Sequence, residues 1–146
     1  VSRARIAFVS LLLATAGCGN KEDNEARLFL DRAELVTLDA PVAERERMIE
    51  ALEALPLSNE EVIEVRQACT EGHRALIEAE ETQREATVEL DRVSGGDENA
   101  KIPRPEAARI QAIIDRSNAA IQESGEQLEA CEDGKRRLRR SIGGQH

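Results

Sequence analysis

The chain has 146 residues, a formal charge of −9 and 1% aromatic residues, with no Trp or Tyr. Such acidity argues against nucleic acid, whose phosphates demand a basic face, and the scarcity of rings removes the stacking platforms used for bases, sugars and flat ligands. The 129 residues that follow the N-terminal leader read below suit one domain rather than two.

Arg3 and Arg5 precede an apolar run, Ile6 to Ala16, that is too short to cross a bilayer, for which roughly 20 apolar residues are needed. Lys21, Glu22 and Asp23 follow closely, and small residues, Ala14 to Gly17, stand before Cys18. Residues 1–17 therefore read as a cleaved leader, whose loss takes the charge to −11. The pattern LATAGC, ending at Cys18, resembles the lipobox of bacterial lipoproteins. The resemblance covers the first 18 residues only. It implies cleavage before Cys18, lipid on the Cys18 thiol and a membrane attachment through that lipid. Gly19 and Asn20, where an Asp would signal retention in the inner membrane, imply the outer membrane, with the protein facing the periplasm. Each buried methylene contributes about 0.8 kcal/mol, so two or three acyl chains hold effectively permanently. Residues 18–23 then form a short tether, a lipidated linker that keeps the body near the bilayer.

The rest, residues 24–142, reads as all-α. Good helix formers dominate, and no stretch alternates with period two. From Glu22 to Leu55 a seam runs through Leu28, Asp31, Leu35, Leu38, Val42, Arg45, Ile49 and Leu52. Pro41 interrupts it without shifting the phase, which predicts one helix over 22–55 kinked at Pro41; two separate helices are the alternative. After the turn at Pro56, a helix over 58–93 is capped by Ser58 or Asn59 and stopped by Gly95-Gly96. Its seam runs through Val62, Val65, Cys69, Gly72, Leu76, Ala79, Gln83, Ala86, Leu90 and Val93.

A third helix over 104–142 opens at Pro105 and carries a seam through Ile110, Ile114, Ser117 and Ile121, then Cys131 and Leu138. Two long helices on one short loop predict an antiparallel, coiled-coil-like hairpin within a three-helix bundle, or a four-helix bundle if the first segment is divided. Residues 143–146 are read as a flexible tail.

A bend near Ala100 places residues opposite one another when their numbers add to about 200, and Cys69 and Cys131 meet that condition. Both lie on inward seams, and a leader to an oxidising compartment makes a disulfide chemically reasonable. Two buried thiols and a redox-active pair are the alternatives. The same register sets Arg136, Arg139 and Arg140 against Glu64, Glu61 and Glu60. For the run Lys135, Arg136, Arg137, Arg139 and Arg140, internal pairing is thus preferred over a clamp for anionic lipid.

His73 reads as a satisfied helix residue. Glu78, Glu80, Glu81, Glu85 and Glu89 read as a solvated face rather than a cation site. No nucleophile elbow, P-loop or zinc spacing is present, which predicts no catalytic residue, no cofactor and no metal. The expectation is a non-enzymatic interaction, scaffold or accessory protein with an envelope protein as partner. A periplasmic chaperone or envelope-stress sensor and a thiol redox protein are the alternatives.

Overall fold

A computed structural model describes residues 21–97 and 99–144. The described residues form an all-α bundle of four helices: α1 (Lys21–Ala33), α2 (Val42–Glu53), α3 (Glu60–Ser94) and α4 (Arg104–Gly143). No strand occurs among the described residues.

Local chemistry explains where the two long helices begin and end. The Asn59 side chain accepts a hydrogen bond from the Val62 N–H, and Glu60 and Glu61 sit at the positive end of the α3 dipole. Gly95, at φ 63°, stops the helix in the left-handed conformation that glycine adopts without steric cost. Pro103 precedes α4 in an extended conformation, and Pro105 fills the first turn, where no intrahelical N–H is required.

The hairpin keeps the predicted register. The Cys69 and Cys131 Cα atoms lie 4.7 Å apart. Farther along, the Ser117 hydroxyl donates to the Ala79 carbonyl at 3.1 Å, and Arg116 pairs with Glu85 at 2.7 Å. Close approach depends on two glycines: a Cβ at Gly134 would lie 2.5 Å from the Val65 side chain, and one at Gly72 would lie 3.0 Å from the Leu128 backbone nitrogen.

The expected single kinked helix over 22–55 is two helices. Pro41 has ψ 146° and offers its carbonyl to the N–H groups of Glu44 and Arg45, so it caps α2 instead of kinking a continuous helix. The inward register of α1 also differs from the expected one. Ala26, Phe29, Leu30 and Ala33 are buried, whereas Leu28, Leu35 and Leu38 are exposed. Phe29, the only aromatic among the described residues, is fully buried and sets that face. In α2 the expected positions Arg45, Ile49 and Leu52 do point inward. The break over residues 34–41 absorbs the difference in phase.

Helix α1 starts at Lys21, inside the segment expected as a linker over 18–23. Glu25, in its second turn, grips the start of α3, so α1 begins at the end of the hairpin where α3 begins and α4 finishes. Helix α2 lies antiparallel along α3, with Arg45 at its start reaching Glu80 and Glu53 at its end reaching Arg74. Phe29, Leu52, Val62, Val65 and Leu138 join the Cys69–Cys131 pair in one core. That core occupies the proximal half of the hairpin, and α2 reaches no farther than about Glu80.

Candidate interaction surface

The proximal half is closed by three polar clasps as well as by its core. The buried Glu25 carboxylate accepts hydrogen bonds from the Ser58 N–H, the Ser58 hydroxyl and the Asn59 N–H, at 2.7, 2.7 and 2.8 Å. The Ser58 hydroxyl, then the Ser58 and Asn59 N–H groups, hold its carboxyl down to a pKa of about 2. Arg45, 3% exposed, donates to Glu80 through both terminal nitrogens, one bond at 2.8 Å. This pair keeps Glu80 below the usual carboxylate range, and the bidentate Arg74–Glu53 pair does the same for Glu53.

His73 departs from the expected satisfied residue. Its Nδ1 is buried without a hydrogen-bond partner, and burial, with Lys135 and Arg45 beside it, holds its pKa below the usual value. His146 and Cys18 lie outside the described residues.

The basic run at the end of α4 is dispersed among separate partners. Lys135 pairs with Glu132, Arg136 with Asp133, Arg137 with Glu61 at 3.6 Å and Arg139 with Glu34 at 2.9 Å. Internal pairing therefore holds for these four, but the expected partners Glu64 for Arg136 and Glu61 for Arg139 are not the ones found. One cause is visible in the fold: α1 brings Glu34 to Arg139, a contact that the hairpin register alone could not reveal.

Beyond Glu80 the hairpin stands as two helices, and its two faces differ. One face is laced by Glu85–Arg116 and Glu89–Arg109 pairs across the helices. The other is an open groove of about 290 Å³ between α3 and α4, with no ionisable residue in its lining. Ala86, Leu90, Ile110, Ile114 and Ile121 supply its apolar surface, and Gln83, Thr87 and Asn118 supply neutral polar groups. Leu90, Ile114 and Ile121 are 42, 38 and 51% exposed although all three belong to the expected inward seams. A two-helix hairpin buries one strip of each helix. The adjoining strip needs a third helix, which α1 and α2 provide only proximally.

The sequence signal for this face was present: aliphatic seam residues continue over a length of hairpin that the 34 residues of the first segment, 22–55, are too few to cover once they divide. Among the described residues no group of three or more His, Cys, Asp or Glu side chains is placed to hold a metal ion, and no helix is long and apolar enough to cross a membrane. Compared with known protein families, curated proteins and solved structures, the chain shows no match.

Proposed function

We propose that this protein is a lipid-anchored bacterial envelope lipoprotein, attached through Cys18 to the outer membrane and facing the periplasm, that acts without catalysis as an interaction or scaffold protein. The observation that carries the reading is the open, uncharged groove on the distal half of the hairpin. It lies at the end opposite the start of α1, and therefore opposite the attachment that the LATAGC segment implies. A helix rises 1.5 Å per residue, so the groove stands about 30 to 45 Å along the hairpin from the start of α3. An anchored body of this shape holds its contact surface away from the bilayer, where an envelope partner can reach it. Contiguous exposed aliphatic side chains on an otherwise charged surface are the usual physical mark of a docking face.

The test is the intact mass of the full chain expressed in a Gram-negative host, before and after reduction. The reading predicts a mature chain beginning at Cys18 and carrying acyl chains, with two hydrogens gained on reduction of the Cys69–Cys131 bond. An unlipidated mass, or a mass that retains residues 1–17, overturns the anchor.

A further inference from the structure

We propose that a second copy of this chain covers the open face, with the two α4 helices packed in parallel. The inference deepens the reading of the distal hairpin as a contact surface by naming its partner.

Helix α4 carries two stripes. The first faces α3. The second runs through Gln111, Ile114, Asn118, Ile121 and Gly125, spaced alternately by three and four residues over about 21 Å. Neither α1 nor α2 covers its middle: Ile114, Asn118, Ile121 and Gly125 are exposed, and nothing lies within 4 Å of a Cβ built at Gly125. This is the spacing of a coiled-coil seam with no helix on it.

The order of residues along the stripe selects the occupant and its direction. One set of layers is aliphatic, Ile114 and Ile121, and the alternate set is amide or glycine, Gln111, Asn118 and Gly125. In a parallel pair of identical helices each layer meets itself, so isoleucine packs on isoleucine and the Asn118 amides hydrogen-bond to each other. An antiparallel pair sets Asn118 against an aliphatic layer and leaves a desolvated amide without a partner. A buried polar layer within a coiled-coil seam is a known means of fixing register.

Charge fits the same arrangement. The groove lining holds no ionisable group, so two chains of net charge −9 can meet there without placing like charges in contact. Outside the groove lining, exposed Arg84 on α3 and exposed Asp115 on α4, which accepts a hydrogen bond from the Gln111 side chain at 2.8 Å, stand at nearly the same level, by the register that joins Cys69 to Cys131. A parallel two-fold preserves levels, so Arg84 of each copy faces Asp115 of the other. The parallel direction also sets both α1 helices at one end, as two chains anchored to one membrane require.

The experiment is sedimentation equilibrium of the full chain in density-matched detergent at concentrations up to about 100 μM, a range that detects any dimer of micromolar affinity. The wild-type chain is expected to be dimeric. Ile121→Asp, on a half-exposed side chain, is expected to raise the dissociation constant at least tenfold with unchanged helicity. Arg84→Asp and Asp115→Arg are each expected to weaken the dimer, and the double exchange to restore it. Because both charged residues are exposed, this exchange remains informative if Ile121→Asp disturbs folding. A monomer throughout the range overturns the proposal and leaves the face to a helix of another protein. A dimer indifferent to Ile121→Asp and to the charge exchange also overturns it. The lipid mass is read separately, so failure of the anchor and failure of the dimer are distinct results.

Discussion

The proximal and distal halves of the α3–α4 hairpin are built on the same three-and-four spacing, yet they present different surfaces. Proximally, the inward positions include Val62, Val65, Cys69 and Leu138, and α1 and α2 bury the neighbouring strips. Distally, the buried positions are mostly small, Ala79, Thr82, Ala86, Ser117 and Ala120, and the large aliphatics Leu90, Ile114 and Ile121 stay partly exposed. A heptad seam shows which side of a helix faces a neighbour. How many neighbours are present depends on how much chain is left to cover it, and here that supply ends near Glu80. Stability is thus concentrated in the half that holds the crosslink, and the continuous uncharged groove lies in the half without it.

The largest effect that separates the halves is removal of the crosslink. The bond closes a loop of 62 residues in sequence separation, which is worth about 4 kcal/mol in the chain-entropy account. Cys69→Ala with Cys131→Ala is expected to lower the melting temperature by about 15 °C, measured by circular dichroism. A fall of only a degree or two would place the main stabilisation outside the proximal core.

Glycine substitutions sharpen the contrast next. Gly134→Ala drives a Cβ into the Val65 side chain and is expected to cost about 2 kcal/mol, in the range for overpacked sites. Gly125→Ala, on the same helix but clear of every other atom of its own chain, is expected to stabilise by up to about 1 kcal/mol through helix propensity. Chemical denaturation of the two variants measures both signs. Equal effects would contradict the packing difference.

Acid acts on the proximal half in two stages. The His73 pKa is lowered in the folded chain, so below about pH 6.5 the unfolded chain binds the proton more readily and stability begins to fall. Glu25, Glu53 and Glu80 have lowered folded values, so the stability they contribute is complete above the ordinary carboxylate range. It is lost as pH drops from about 5 toward 2, the folded value of Glu25. Melting temperature against pH should show both stages, with His73→Gln removing the first. The smallest expected effect is that of Glu25→Gln, which keeps hydrogen bonds to Ser58 but removes their charge. It should lower the melting temperature by a few degrees and flatten the second stage.

Much of this was legible in the sequence because it depends on period and counting. The hairpin, its two ends and the Cys69–Cys131 register follow from Gly95-Gly96, Pro105 and a loop of fixed length. The first segment misled for a physical reason. Leu28, Leu35 and Leu38 share the phase of Ile49 and Leu52, but burial of Phe29 turns α1 about its axis, and the break at 34–41 hides the change. Contacts made by α1 and the residue that follows it, such as Glu25 with Ser58 and Glu34 with Arg139, depend on that rotation and on tertiary placement. The open groove follows from a mismatch between hairpin length and covering helices, which appears only once α1 and α2 are known to be 13 and 12 residues long.

The most direct test of the account installs a photo-crosslinking residue in the full chain within bacterial envelopes, at Ile121 on the open distal face or at exposed Glu78 as a control. The account predicts a membrane-bound adduct of twice the chain mass from position 121 and none from position 78. No adduct from 121, or equal adducts from both positions, would contradict it.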